Sequence, residues 1–268
     1  MPETLAAIRQ KLSRLLGETI VETPTSGGYT TTGFRCASLA VYSDDYFNDR
    51  FGRFYAGTHA NTNFAVTDFA KSNGVITFSP AVTGAIDASD KFEFYPGDYT
   101  PQELIDAINL AISSIEDSAL LDYLDETVLT KESTFEYELP SDFVYIEKIL
   151  QEKSTSNRYS ASGDLIDVRH WRILSSNPPK IWFDDEYVSL TSSRNLRLVG
   201  QKKQAQLVKD SDLCHIAQDY IIDQAKANLH FSRSDELDDA HYNKMIVAQS
   251  RADQIKGRIQ VAGRGLKV

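Results

Sequence analysis

Histidine has the widest chemistry of the residue types in this chain, but the five histidines are not spaced as a metal site. They are His59, His170, His215, His230 and His241. No HExxH pair occurs, and the two cysteines, Cys36 and Cys214, lie too far apart in sequence for zinc-ligand spacing. His230 and His241 are placed to meet across a helical hairpin, but no acidic or thiol residue has suitable spacing beside them. The sequence therefore predicts no metal site and no bound cofactor.

Two acidic clusters are the next candidates for chemistry. Asp44 and Asp45 form one, and residues 184–186 form the other; neither has the spacing of an EF-hand loop. Both are typical of solvated turns, with a loose calcium site as the alternative. The sequence also lacks the phosphate-binding loop, the dinucleotide fingerprint and the nucleophile elbow. We therefore expect no enzymatic activity; the remaining enzymatic alternative is a hydrolase that uses carboxylates alone.

The charge pattern indicates a negative surface in the middle of the chain. The net charge is −10, which argues against a protein that grips nucleic acid, because such proteins neutralise phosphates with lysine and arginine. Between residues 87 and 138, acidic residues outnumber basic ones by fourteen to two. This pattern is typical of a solvated face that keeps a protein soluble. The alternative is a negative wall that DNA passes without binding.

Targeting signals are missing from the sequence. The first residues lack the basic start and apolar run of a signal peptide, and no apolar stretch approaches the ~20 residues that span a bilayer. Two cysteines far apart in sequence suit a reducing compartment and small buried positions. We therefore expect synthesis in the cytoplasm and no membrane anchor.

Two segments in the first half have the apolar spacing of amphipathic helices. Residues 3–17 place leucine and isoleucine on one face and basic residues on the other. Residues 98–117 contain Thr100 and Glu103 as a capping box, with Pro101 at the first helical position. The broad apolar face of this second helix requires partners on more than one side, and a helix pair near the C-terminus is the expected partner.

The C-terminal helix pair lies within residues 201–261. Asp210 and Asp212 form a helix-start signal, and two long periodic runs follow. Residues 262–268 contain two glycines and no periodicity, which indicates a flexible tail. From Arg251 onward, five basic residues face one acid, a local charge of +4. This charge suits a helix C-terminus, and the alternative is an arm that becomes ordered on a partner.

Two regions between the helices have strand character. Residues 18–97 contain several short apolar runs, and Asn73 with Gly74 between two of them is a hairpin signal. Residues 118–200 return to alternating patterns and end in a strand at residues 196–200. Both regions are therefore predicted to be antiparallel β-structure inserted between helices.

Together these segments predict an α+β fold. We expect a small helical bundle, made of the N-terminal helix, the central helix and the C-terminal helix pair, with two inserted antiparallel β-regions. The predicted boundaries are 1–17 and 98–117 for the first two helices, 18–97 and 118–200 for the β-regions, 201–261 for the helix pair and 262–268 for the tail.

The order of these segments resembles the head-to-tail adaptor, or connector, proteins of tailed bacteriophages. The features that carry the resemblance are the helix at residues 100–112, the β-rich middle that ends at residues 196–203, and the two helices that follow Asp210 and run through Arg251. The resemblance covers the helical frame and the end of the second β-region. The segment 18–97 is larger than a minimal adaptor requires.

The resemblance implies a virion structural protein of the neck, made in the host cytoplasm and without enzymatic activity. Adaptors of this family assemble as a ring, typically dodecameric, beneath the portal protein, where they extend the DNA channel and receive the tail. The implied partners are therefore further copies of the chain, the portal protein and a tail or tail-completion protein. DNA is expected to pass through without specific binding, and no membrane is involved.

The resemblance also implies two sets of site residues. Because the C-terminal segment of such adaptors commonly docks on the portal, one set is Arg258, Arg264, Leu266, Lys267 and Val268. The acidic residues assigned to the channel lining are Glu132, Glu136 and Glu138.

A different class of function stays open on the sequence. The chain would then be another neck or tail-completion protein, or a decoration protein whose β-module at residues 18–97 binds capsid or carbohydrate. The candidates for carbohydrate binding are the aromatic-rich strands at residues 34–95 together with Trp171 and Trp182, although tryptophan is more often a core residue.

Overall fold

The computed structural model of the chain describes residues 2–25, 29–95, 99–154, 159, 164–233 and 239–264. Side chains are described within these ranges except at positions 239 and 260–264. The chain divides into two compact units. Unit 1 joins Met1–Ile115 to Ala205–Val268, and unit 2 is Glu116–Gln204.

The first part of unit 1 contains a six-stranded antiparallel sheet, whose strands lie between two helices in the sequence. In chain order its elements are β1 (Glu3–Thr4), α1 (Leu5–Leu16), β2 (Ile20–Glu22), β3 (Gly33–Arg35), a 3₁₀ turn (Ala37–Val41), β4 (Phe51–Ala56), β5 (Thr62–Ala70), β6 (Val75–Ser79), β7 (Lys91–Phe94) and α2 (Pro101–Ser113). The strand order is β2-β7-β4-β5-β6-β3. The sheet therefore mixes strands that are distant in sequence, since β7 lies between β2 and β4.

Aromatic side chains fill one side of this sheet. The buried rings are Phe34, Phe47, Phe54, Phe64, Phe69, Phe78, Phe92 and Phe94. The ring centroid of Phe34 lies 4.7–6.2 Å from the centroids of Phe54, Phe64, Phe78 and Phe92. These distances are in the range of favourable contacts between aromatic rings. These rings are contributed by five of the six strands and by the loop before β4, so they hold the sheet around a single core.

The predicted hairpin at Asn73 and Gly74 is confirmed. It joins β5 to β6, with Ala70 opposite Val75. Gly74 has a φ of 59°, and a Cβ there would lie 2.2 Å from the carbonyl oxygen of Cys36. Glycine is therefore required both by the turn and by the close approach of the neighbouring chain.

Unit 2 consists of two further antiparallel sheets. Its elements are β8 (Leu121–Asp125), β9 (Glu136–Glu138), β10 (Phe143–Gln151), β11 (Leu165–Ile166), a 3₁₀ turn (Val168–His170), β12 (Trp171–Leu174), β13 (Lys180–Phe183) and β14 (Leu196–Lys202). The orders are β11-β10-β14-β8 and β12-β13-β9. Ile149 and Leu198 of the first sheet share a buried core with Ile181 and Phe183 of the second, so the sheets pack face to face.

The chain then returns to unit 1 with β15 (Leu213–Cys214), α3 (Gln218–Arg233) and α4 (Asp239–Arg264). β15 pairs with β1, which ties the start of α1 to the later segment. α1 and α2 both pack against α3, and α3 packs along α4. The capping box predicted for α2 is confirmed, because Glu103 N–H donates to Thr100 Oγ1 and Thr100 N–H donates to Glu103 Oε2.

The predicted helix start at Asp210 is wrong, because α3 begins at Gln218. Asp212 instead caps a turn, since its Oδ2 accepts hydrogen bonds from the backbone N–H groups of Val208 and Lys209. Asp210 is buried among arginines described below. Both aspartates thus act in the segment before the helix.

The predicted fold class, a small helical bundle with two inserted β-regions, is also wrong. The described residues form four α-helices and four β-sheets, and the sheets dominate the structure. The segment 18–97 is not an insertion beside a bundle, because α1 packs on β7 through the buried pair Arg9 and Glu93. α1 is therefore tied to the sheet as well as to α3, and the chain is a sheet-rich structure in place of a small helical bundle with two inserted β-regions.

Two smaller expectations concern the cysteines and the membrane. Cys36 and Cys214 are both buried free thiols, as predicted. Burial raises the pKa of each thiol above its ordinary value. Across the described part of the chain, no helix has the length and apolar character that crossing a membrane requires.

Candidate functional site

A buried group of charged side chains lies where α1 meets the six-stranded sheet. This Arg9 cluster consists of Arg9, Arg53, Glu93, Tyr95 and Asp210. Arg9 Nε donates to Glu93 Oε1 at 2.6 Å and to Tyr95 Oη at 2.7 Å, and Arg9 Nη1 donates to Asp210. Arg53 Nε donates to Asp210 Oδ2 at 2.9 Å. All five side chains are buried, so they connect α1, β4, β7 and the segment before β15.

The Arg9 cluster is balanced in charge and closed to solvent. Burial alone would lower the pKa of Arg9, but Tyr95, Glu93 and Asp210 outweigh it and raise that pKa above its ordinary value. Burial, followed by the charge on Glu93, raises the pKa of Tyr95 well above its ordinary value. Arg9 therefore stays cationic and Tyr95 stays neutral. The cluster holds unit 1 together and presents no accessible nucleophile or proton donor.

His59 forms a second buried polar site in unit 1. Its Nδ1 lies 2.9 Å from Asp90 Oδ2, and its Nε2 lies 3.1 Å from the carbonyl oxygen of Thr83. Both ring nitrogens thus face acceptors, which suits a doubly protonated imidazolium. Burial lowers the pKa of His59, but the bonds to Asp90 and Thr83 outweigh this effect and raise that pKa. The His59 site therefore acts as a structural ion pair.

His230 and His241 meet across the α3–α4 hairpin, as their spacing allowed. Their Nδ1 atoms lie 3.2 Å apart, and His230 is buried. Burial, followed by the charge of Lys226, lowers the pKa of His230 to about 4. His230 is therefore neutral at pH 7. Within the described ranges, no group of three or more histidine, cysteine or acidic side chains is placed to hold a metal ion.

The predicted channel-lining acids lie together in unit 2. Glu136 and Glu138 are both on β9, and Glu132 is in the turn before it; all three are exposed. Tyr137 between them is buried in the core, so the two β9 glutamates share the opposite, solvent-facing side. Glu136 Oε2 accepts from Lys180 Nζ at 3.2 Å. This face can repel a polyanion, since most of its charge is negative.

The predicted portal-binding residues lie at or beyond the end of α4. Arg258 is exposed on the helix, and Arg264 is its last residue, with a side chain outside the described set. Leu266, Lys267 and Val268 lie outside the described residues. Arg251, near the middle of α4, is exposed as well, whereas Lys256 is half-buried. Arg251 and Arg258 are therefore the exposed cations among the described residues from 251 onward.

The outer face of α4 is a surface that sequence reasoning did not single out. Tyr242, Ile246 and Val247 are 52%, 45% and 53% exposed, although α4 packs along α3. Ala248 and Ala252 occupy the buried side of the helix. The helical repeat places Tyr242 and Ile246 one turn apart on the same face. This face can bind an apolar partner surface.

The two tryptophans do not form an open stacking platform. Trp171 packs against the core of unit 2. Arg172 places its guanidinium carbon 4.6 Å from the ring centroid of Trp182, so that ring face is occupied. Both side chains are half-buried. A flat sugar would have to displace Arg172 to stack on Trp182.

The acidic clusters proposed as solvated turns use their carboxylates locally. Asp44 Oδ1 accepts from the backbone N–H of Lys71 at 2.8 Å, and Asp184 Oδ1 accepts from the backbone N–H of Glu186 at 3.1 Å.

Comparison of the sequence with protein-family models found no matching family, and comparison with curated proteins found no match. The functional argument therefore rests on the surfaces described above.

Proposed function

We propose that this chain is a bacteriophage virion structural protein, a head-to-tail adaptor that forms a ring between portal and tail and extends the DNA channel. Its role is structural and not enzymatic, and its place is the neck of the virion. The order of helices and β-regions that resembles this family supports the proposal. The runner-up is another neck, tail-completion or decoration protein whose β-module binds capsid or carbohydrate. Sugar binding gains no support from the occupied face of Trp182.

The outer face of α4 is the observation that carries the proposal. Tyr242 and Ile246 form a short apolar strip one turn long, and Val247 is exposed about 100° further around the helix, whose other side is buried. Apolar surface of this kind is typical of protein–protein contacts. If the strip binds a different surface of the next copy, the contact is heterologous, and repetition with the right rotation closes a ring.

Two charged surfaces suit the two remaining roles, which are binding to the portal and lining the DNA channel. The exposed cations Arg251, near the middle of α4, and Arg258, in its last two turns, suit an acidic site on the portal. The exposed glutamates of β9, Glu136 and Glu138, suit a channel wall, because negative charge repels DNA phosphates and lets the genome slide.

Binding to the purified portal protein tests this assignment. We expect the wild-type chain to sediment with the portal, and the double variant Arg251→Glu with Arg258→Glu to lose that binding. Lys244→Glu is the matched control, since Lys244 is an exposed cation nearer the start of α4. A wild-type chain that never sediments with the portal would remove the adaptor role. Equal binding by the double variant would show that Arg251 and Arg258 are not the portal contact.

A further inference from the structure

One edge of β9 carries backbone groups that are unpaired among the described residues. β9 is the outermost strand of the sheet β12-β13-β9. The N–H of Phe183 donates to the carbonyl of Phe135 at 2.8 Å, which sets the hydrogen-bonding register. Because alternate residues of an antiparallel strand direct their backbone groups to opposite edges, those of Glu136 and Glu138 point away from β13. β9 therefore offers two donors and two acceptors.

A second unpaired backbone position occurs at Leu129. The N–H of Thr130 donates to the carbonyl of Arg194 at 2.8 Å, and the N–H of Leu196 donates to the carbonyl of Val128 at 2.8 Å. Leu129 bridges Asn195 between these bonds. By the same alternation, the N–H and C=O of Leu129 point away from the strand that contains Asn195. No described residue makes a backbone hydrogen bond to them.

Both unpaired edges line one groove in unit 2. Its volume is ≈880 Å³, and the residues that matter here are Val128, Leu129, Lys131, Glu136, Glu138 and Leu139. An extended peptide in this groove would satisfy the backbone groups of Leu129 on one side and of Glu136 and Glu138 on the other. Addition of a strand to an exposed sheet edge is a common mode of peptide recognition. The groove therefore has unpaired backbone groups from two edges among its lining residues, which is the arrangement that strand addition uses.

The side chains of the groove specify the chemistry of that peptide. Leu129 is 50% exposed and Leu139 is half-buried, so apolar side chains of the peptide have a surface to cover. Glu136 is paired with Lys180, whereas Glu138 forms no ion pair with any described residue. Opposite charges on facing strands attract, so a basic residue opposite Glu138 is favoured. Lys131 is an exposed cation that also lines the groove, so the basic residue is favoured only opposite Glu138. The groove therefore fits an extended segment with one basic residue between two apolar ones.

We propose that residues 265–268 of a second copy, Gly-Leu-Lys-Val, occupy this groove. Leu266 and Val268 are one strand period apart and face the leucine surface, and Lys267 faces the glutamate side. The segment follows directly on α4, which ends at Arg264. The proposal deepens the proposed ring, on which it rests for the neighbouring copy. It leaves Arg251 and Arg258 for the portal and assigns residues 265–268 to the neighbour. It also takes Glu138 out of the channel wall, which keeps Glu132 and Glu136.

A peptide-binding measurement tests the recognition step. The probe is a fluorescent peptide of residues 258–268, and the receptor is the full chain with Leu266→Asp and Val268→Asp, whose own segment no longer fits. We expect saturable binding by fluorescence anisotropy. Glu138→Lys or Leu129→Asp in the receptor should weaken it by about tenfold or more. Glu147→Lys is the control, because Glu147 is an exposed glutamate on β10, away from the groove. A peptide with Lys267→Glu should recover affinity for the Glu138→Lys receptor.

Sedimentation of the full chain tests the second-copy step. We expect the wild type to self-associate and the Leu266→Asp, Val268→Asp variant to lose that association. Absence of saturable peptide binding, or equal binding by the Glu138→Lys and control receptors, would overturn the strand-binding site. Peptide binding with a wild type that stays monomeric at all concentrations would show that the segment binds its own copy. Rings that form on the portal from the Asp variant would overturn this contact and leave the adaptor role intact.

Discussion

Replacement of Arg9 by methionine tests the Arg9 cluster that joins α1 to the sheet. In the wild type, Arg9 contacts Glu93 at 2.6 Å and also donates to Asp210. Arg53 remains bound to Asp210 in the variant, at 2.9 Å, so Glu93 is the carboxylate left without its cation. Removal of one partner of a buried ion pair costs about 3–5 kcal/mol, because the other charge stays buried and uncompensated. We expect unit 1 to lose this amount of unfolding free energy.

Urea unfolding with two probes measures the effect. All four described α-helices lie in unit 1, so far-UV circular dichroism follows that unit. Both tryptophans, Trp171 and Trp182, lie in unit 2, so tryptophan fluorescence follows the other unit. With a denaturant dependence of about 2 kcal/mol/M, the midpoint of the helical signal should fall by about 2 M. The direct effect of Arg9→Met on the fluorescence midpoint should be small.

Lys11→Met is the matched control on the same helix. Lys11 also forms an ion pair, to Glu3 at 2.7 Å, but both side chains are partly exposed. Exposed ion pairs contribute at most about 1 kcal/mol, so this variant should unfold close to the wild type. If Arg9→Met and Lys11→Met have the same helical midpoint, the buried cluster does not hold unit 1 together and the argument is wrong.

Three further predictions follow from single residues. The pKa of His59 is raised, so its stabilisation is fully present below the unfolded pKa of about 6.5 and is lost as pH rises through the folded value. The melting temperature of His59→Gln should therefore differ most from the wild type in mild acid and least in mild alkali; a difference that grows with pH would contradict this. The pKa of His230 is lowered to about 4, so the fold should lose about 3 kcal/mol as pH falls from about 6.5 to 4. His230→Gln should remove most of that loss in acid urea titrations, and an unchanged pH slope would refute the assignment. Gly74→Ala should destabilise by more than about 1 kcal/mol because it adds a backbone clash to a left-handed φ, whereas Gly84→Ala at φ 90°, with open space around it, should cost only the strain; equal melting temperatures would show that the turn relaxes.

Local signals predicted the parts of the fold that depend on neighbours in sequence. Thr100 and Glu103 are three residues apart, and the capping box they form starts α2 as expected. Asn73 and Gly74 are adjacent, and their hairpin is present between β5 and β6. In both cases the residues that form the structural feature are neighbours in sequence. The local sequence pattern is therefore sufficient to predict the feature.

Long-range partners explain the main errors. Glu93 was counted among the acids of a solvated face, but its partner Arg9 is 84 residues away and both are buried. Asp210 was interpreted as a helix start, but it binds an arginine 201 residues away. A single charged residue looks the same in sequence whether it faces water or a buried partner. The prediction of a small helical bundle with two inserted β-regions failed in part for this reason, since it did not place α1 on the six-stranded sheet.

The candidate functional surfaces were also predictable only where they depend on neighbours in sequence. The exposure of Glu136 and Glu138 follows from the alternation of polar and apolar residues around buried Tyr137, and this alternation is visible in the sequence. The groove beside them depends on the bridge between Leu129 and Asn195, which joins distant segments and has no local signal. The exposed face of α4 also depends on which side α3 covers, and helical periodicity alone does not determine that side.

Electron microscopy of the purified chain mixed with its portal protein tests the adaptor role most directly. The account predicts a closed ring of repeated copies of the chain added to one end of the portal, with the central channel continuous through both. Portal particles without added density, together with a chain that sediments as a single 30.0 kDa copy, would contradict it.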